Sequence, residues 1–182
     1  GDGLLNLSLS ERITLCNLAG KTAARTCVIA DEPVQGSQSA SVFHSFDLAA
    51  IRPMVAGPDS FETIVEVINA GSVPVNEVFV GGCSSGRIED LRLAAGIIRG
   101  KKVARRVRLM IAPVTSQAYV QALQEGLIED FIDAGAIVMN QGCSVCWGKS
   151  QGVLDAEEVL LSAGSYNYKG CAGSSEAKVY VV

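Results

Sequence analysis

The sequence predicts an α/β protein whose sheet is three-layered, doubly wound and mostly parallel. Two observations carry this. Strand-length apolar runs at 75–80, 107–112 and 136–139 alternate with amphipathic helical stretches at 88–99 and 116–134. Such alternation is the signature of crossover connections in a parallel sheet. The composition agrees: 48% of residues are hydrophobic, only 5% are aromatic and 19 are glycine, which suits Ala/Gly/Val packing.

The elements follow in order. Residues 7–19 read as a helix, with Ser8 and Glu11 at capping-box spacing and Ile13, Leu15 and Leu18 as apolar positions. Thr26–Ala30 reads as a short strand, and Asp31–Ser41 as a loop or linker rich in Gly, Ser and Gln. Residues 45–48 and 58–67 suggest short extended pieces. Val75–Val80 is a buried strand. The helix over 88–99 has Ser85 as its candidate cap, Glu89 and Asp90 in its first turn, and Gly100 after its end. The helical stretch 116–134 is interrupted near Gly126. Strands at 136–139, 159–162 and 178–182 complete the series. We divide the chain into an N-terminal segment, 1–44, and an α/β domain, 45–182.

Composition narrows the function. The formal net charge is −4, and the densest basic stretch, Arg105-Arg106-Val107-Arg108, is too short for a nucleic-acid surface. No apolar run is long enough to span a membrane. The opening residues show neither a charged n-region nor an apolar h-region. The six cysteines sit in strand-loop-helix contexts beside a large core, so the expected setting is reducing and cytoplasmic. With His44 as the single histidine, most His-based metal and triad chemistry is ruled out within this chain.

Cysteine placement carries the chemistry. Cys83 lies in Gly81-Gly82-Cys83-Ser84-Ser85-Gly86-Arg87, and Cys143 and Cys146 lie in Gly142-Cys143-Ser144-Val145-Cys146-Trp147-Gly148. Each loop follows a predicted strand, so both belong at the carboxyl edge of the sheet, where α/β proteins bind ligands. The close pair alone reads as a redox pair, half a zinc site or ordinary thiols, and no second ligand pair stands at useful spacing for zinc. With Cys83 added, the three suit three corners of a four-iron cluster, and glycines let backbone approach a bulky ligand. Cys16 and Cys27 read as small buried hydrophobes. Cys171, flanked by glycines, is a candidate fourth ligand or a loop thiol. Arg87 suits a carboxylate by a bidentate pair or an ion pair with Glu89 or Asp90. Thr115 suits helix capping and donation to a substrate.

At these residues the chain resembles the aconitase family of iron-sulfur hydro-lyases, on the side of the 3-isopropylmalate dehydratase and homoaconitase large subunits. Residues 2–18, the loop Val78–Leu91, the stretch Glu125–Ala136 and Gly142–Gly148 are similar to family segments and stand in the family's order. The resemblance implies the family's cluster-bearing α/β domain and a [4Fe-4S] cluster on Cys83, Cys143 and Cys146. It also implies reversible dehydration of a small-molecule hydroxy di- or tricarboxylic acid. Arg87, Ser84, Ser85 and Thr115 would then orient the substrate. The catalytic base would come from a small subunit or swivelling C-terminal domain, so this chain alone should not turn over.

The chain departs from the family's pattern in several places. Tyr166 and Cys171 stand where the family carries substrate-binding arginines, in Gly164-Ser165-Tyr166-Asn167-Tyr168-Lys169-Gly170-Cys171. Ser84-Ser85 replaces Thr-Asn, and Pro113-Val114-Thr115 replaces a Pro-Gly-Ser or Pro-Ala-Ser turn. A family segment with a glutamate near the cluster is absent between Ala19 and Gly20. These departures predict a substrate with fewer carboxylates or an apolar substituent. The other readings are a degenerate aconitase-like binding or structural module, and a redox centre closed by Cys171.

Overall fold

The computed structural model describes residues 2–30, 42 and 44–182, and the loop expected over Asp31–Ser41 lies outside them. Two compact units divide it, Gly1–Pro53 and Met54–Val182.

In the first unit, helix α1 (Leu9–Ala19) starts at a complete capping box. The Glu11 N–H donates to Ser8 Oγ at 3.3 Å, and the Ser8 N–H donates to Glu11 Oε2 at 2.7 Å. Two otherwise orphaned donors are thereby satisfied. The strand expected over Thr26–Ala30 does not form: the segment is irregular. A β-rich run forms a strand only where a partner edge takes its backbone groups, and none pairs with it among the described residues. Cys16 and Cys27 are half-buried rather than core residues. Burial, then the neighbouring Cys16 thiol, pushes the Cys27 thiol up.

The second unit holds seven strands: β1 (Met54–Ala56), β2 (Ile64–Glu66), β3 (Glu77–Gly81), β4 (Arg108–Ala112), β5 (Ile137–Val138), β6 (Val159–Ser162) and β7 (Lys178–Val181). They lie in the order β2-β1-β7-β6-β3-β4-β5. The five from β7 to β5 are parallel, and the β1–β2 hairpin joins antiparallel at the β7 edge. The chain builds outward from β3 through β4 to β5, then returns to place β6 on the other side of β3. The order therefore reverses beside β3, which is where open α/β sheets bind ligands.

One face of the sheet is covered by α3 (Ile88–Ile98), α4 (Ser116–Gln124) and α5 (Leu127–Ala134). Gly126 at φ 75° makes the left-handed turn between the last two. Leu91, Ala95, Ala122, Leu127, Ile128 and Phe131 pack there against Ile111. Burying such side chains contributes roughly 1.5–3 kcal/mol for each large one. The opposite face carries Phe79, Met110, Leu160 and Val179, and its cover is loop: Met139, Val145, Cys146, Leu154, Cys171 and Ala172. The α/β class and the mostly parallel sheet are as expected, and among the described residues this second face is covered by loop segments and the short 3-10 helix Ser144–Trp147. That cover puts the cysteine turn into the core.

Beneath this loop layer, Glu77 is 0% exposed. Arg108 Nε donates to it at 2.8 Å, and the other two guanidinium nitrogens donate to Glu158 at 2.7 and 2.8 Å. The basic stretch at 105–108 thus contributes an internal tie between β3, β4 and the segment entering β6. Burial raises the Glu77 carboxyl despite Arg108, whereas Arg108 lowers Glu158.

Candidate metal centre

The structure brings the chemistry-bearing loops together at the carboxyl edge of the sheet. Cys83 sits on the short helix α2 (Gly82–Ser85) directly after β3. Gly82 opens it at φ 70°, and its open side faces the carbonyls of Gly142 and Cys143, 3.9 and 4.0 Å from where a Cβ would stand. The loop after β5 is held to that edge because the Met139 N–H donates to the Ile111 carbonyl and the Gly142 N–H to that of Pro113. It then turns through Ser144–Trp147, with Cys143 exposed and Cys146 buried.

The third contributor is the turn after β6. A side chain on Gly164 would run into Cys146 Sγ. The neighbouring Ser165 places its Oγ 3.7 Å from Cys83 Sγ, and its backbone N–H bonds the Cys146 sulfur. Ser165 therefore ties the two cysteine loops together. We did not expect this residue from sequence, where its only signal was a Gly-Ser step after a strand. Burial drives the Cys146 thiol up to about 11. The Ser165 bond opposes this, and the charges of Cys171, Cys143 and Cys83 add to it. All four cysteines of this unit thus share one electrostatic neighbourhood. Cys171 is buried, with its Sγ 3.7 Å from the Tyr166 carbonyl.

The remaining expected site residues have local partners. Ser84 Oγ donates to the Ala163 carbonyl at 3.3 Å. Ser85 does not cap α3. Its Oγ donates to the Gly81 carbonyl at 2.9 Å and accepts the Gly81 N–H at 3.0 Å, closing α2 instead. The cap of α3 is Arg87, whose N–H donates to Asp90 at 3.0 Å. Thr115 caps α4 by accepting the Ala118 N–H at 3.1 Å, and it is exposed at the end of β4. His44 is exposed and belongs to the other unit.

Among the described residues, no three Cys, His, Asp or Glu side chains stand close enough to hold one metal ion. A mononuclear zinc site therefore has no basis here. A four-iron cluster is far larger than an ion, and its thiolate ligands stand correspondingly further apart. Thiols converging from two loops, beside glycines whose side chains would fill the space, fit such a group. An apolar cavity of about 340 Å³ lies on the helix side, lined by Val78, Val80, Ile97 and Phe131. It faces away from the cysteines and has Lys102 as its one charged lining residue.

Comparison with known proteins decides the family. Residues 35–182 match the aconitase family (aconitate hydratase). The chain belongs to the aconitase family. It is 34% identical to the 3-isopropylmalate dehydratase large subunit 1 of Archaeoglobus fulgidus, over all of this chain and 48% of that protein. It is 36% identical to the 3-isopropylmalate dehydratase large subunit of Heliobacterium modesticaldum, over all of this chain and 47% of that protein. With the probable methanogen homoaconitase large subunit of Methanothermobacter thermautotrophicus it shares 33% identity, over all of this chain and 46% of that protein. The aconitase-family chain thus spans about half the length of these curated relatives. No helix among its described residues is long and apolar enough to cross a membrane.

Proposed function

We propose that this chain carries the iron-sulfur centre of a hydro-lyase acting on a hydroxy di- or tricarboxylic acid such as 3-isopropylmalate. The observation that carries this reading is the convergence of Cys83, Cys143 and Cys146 at the carboxyl edge of one parallel sheet, beside the point where strand order reverses. These three thiolates would hold a [4Fe-4S] cluster. When bound through three cysteines, such a cluster supplies a Lewis-acidic iron that polarises a hydroxyl leaving group.

The chain's own residues then hold the centre and orient the substrate. Arg87, at the head of α3 and one turn from Cys83, offers a guanidinium to a carboxylate. Thr115 keeps its hydroxyl proton available while its oxygen caps α4. Ser84 and Ser85 act on the backbone instead: their bonds to Ala163 and Gly81 hold α2, and therefore Cys83, in place. Ser165 and Gly164 fix the approach of Cys146. The base that removes the α-proton belongs to the part of the longer protein outside this chain, or to a small subunit. We place the protein in the cytoplasm on its cysteine usage.

A second reading has Cys171 closing the cluster as a redox centre. It is favoured by Cys171 lying in the same buried neighbourhood as Cys146. Iron and sulfide content with EPR, after anaerobic reconstitution and mild oxidation, separates the readings. A three-iron signal in both wild type and Cys171→Ala establishes three protein ligands and one labile iron. A cluster that resists iron loss until Cys171 is removed establishes the closed centre. No cluster in the full polypeptide leaves a binding or structural module and overturns the proposal.

A further inference from the structure

The helix side of the sheet holds a cavity that the cysteine edge does not use. It measures about 340 Å³ and lies between α3, α5 and the strands β3 and β4. Its walls are apolar, with Val78, Val80, Ala94, Ile98, Leu109 and Phe131 among them. Ile97 also lines it and is 60% exposed, so the cavity opens to solvent beside α3. A packed interior leaves few voids larger than a water molecule. A space of this size falls instead in the usual range of small-molecule pockets.

The rim has the opposite chemistry. The loop from α3 to β4 contributes Lys102, Ala104 and Val107 to the lining. Residues 101–106 of that loop carry four cations, Lys101, Lys102, Arg105 and Arg106, and all four are exposed. Lys102 is placed by the fold. Its Nζ donates to the Asp133 carbonyl in α5, and the next residue's N–H, that of Val103, donates to the Ala134 carbonyl at 2.8 Å. The Val107 N–H donates to the Ala104 carbonyl at 3.1 Å, closing a turn with Arg105 and Arg106 at its tip. Both ends of this turn line the cavity, so its arginines stand at the rim. Of the neighbouring acids in α5, Asp130 is held by Arg99. Arg108, by contrast, is tied to Glu77 and Glu158.

We propose that this cavity binds a medium-chain carboxylate, with its hydrocarbon in the apolar space and its carboxylate on Lys102. Burial of the hydrocarbon supplies affinity. The positive field of Lys102, Arg105 and Arg106 selects an anionic head over a neutral or cationic one. The loop carrying these cations precedes β4, whereas the cysteine loops follow their strands, so the site stands apart from the cysteine edge. It does not depend on the cluster reading.

Calorimetric titration of the full polypeptide with sodium octanoate, 1-octanol and octylammonium chloride, at low and high salt, tests this. Octanoate should bind saturably and about tenfold more tightly than octanol at low salt, and should lose most of that margin at high salt. Octylammonium should bind more weakly than octanol. Lys102→Met should weaken octanoate roughly threefold and leave octanol unchanged. Ala94→Leu, which fills the cavity from α3, should weaken octanoate and octanol alike, with far-UV circular dichroism confirming that it folds. Octanol binding as tightly as octanoate at low salt overturns the proposal on wild type alone. So does a lack of saturable octanoate binding, the result expected if another part of the longer protein fills the cavity. An octanoate affinity that both variants leave unchanged also overturns it, because the binding then lies elsewhere.

Discussion

Single residues at the cysteine edge act through contact rather than through type alone. Gly164 is the clearest case, because a methyl group there meets Cys146 Sγ and Ser162 Oγ, so the cysteine side chain itself has to shift. Gly164→Ala should leave the helical content, read by far-UV circular dichroism, unchanged while iron incorporation on reconstitution is lost. Normal incorporation would show that Cys146 is not held in that position. Ser165 makes the related point. It touches Cys83 by its side chain and Cys146 by its backbone, yet a serine after a glycine announces nothing in sequence. That both cysteine loops lie at one sheet edge was legible, because each follows a strand of apolar residues. Their companion was not, since the contact depends on β6 lying next to β3, as it does here.

Among elements, the boundaries most open to sequence are those set by local chemistry. The Ser8–Glu11 box starts α1, Thr115 starts α4 and left-handed Gly126 separates α4 from α5. Where the partner is distant, the reading fails: Thr26–Ala30 has strand composition but no pairing edge, and Ser85 serves α2 rather than α3. The Glu77–Arg108–Glu158 tie is likewise a matter between elements. Arg108→Met leaves Glu77 buried without its cation and should cost about 3–5 kcal/mol at neutral pH. The sign with pH follows from the raised Glu77 carboxyl. Once protonated it needs no cation, so the cost relative to wild type shrinks as pH falls through that raised value. Urea unfolding of both proteins across that range checks this, and a cost that does not change with pH would refute the role of Glu77.

For the whole molecule, length is the governing fact. The chain matches about half of each dehydratase or homoaconitase large subunit compared with it. Its cysteine edge carries thiols and Arg87, while its single histidine lies in the other unit. On the proposed function, such a site would hold and orient a substrate and would take its base from elsewhere. We therefore expect the 182-residue chain to take up iron and dehydrate neither 3-isopropylmalate nor citrate. On the proposed function, the longer protein with any subunit it requires should dehydrate 3-isopropylmalate faster than citrate, since Tyr166 and Cys171 stand where the family resemblance implies two carboxylate-binding arginines. Coupled absorbance assays of both reactions decide this, and a preference for citrate would refute the substrate assignment.

By itself the sequence determined the α/β class, the alternation of strand and helix from β3 to β5, and the helix starts at Ser8 and Thr115. These depend on periodicity and short-range chemistry, which are written in neighbouring residues. Only the tertiary structure decided that the cysteine turn itself covers one face of the sheet, that Ser165 joins the two cysteine loops, and that Cys171 is buried in the same apolar cluster as Cys146. Each depends on which strands become neighbours across the sheet, and strand order is set by long-range packing that no local pattern encodes.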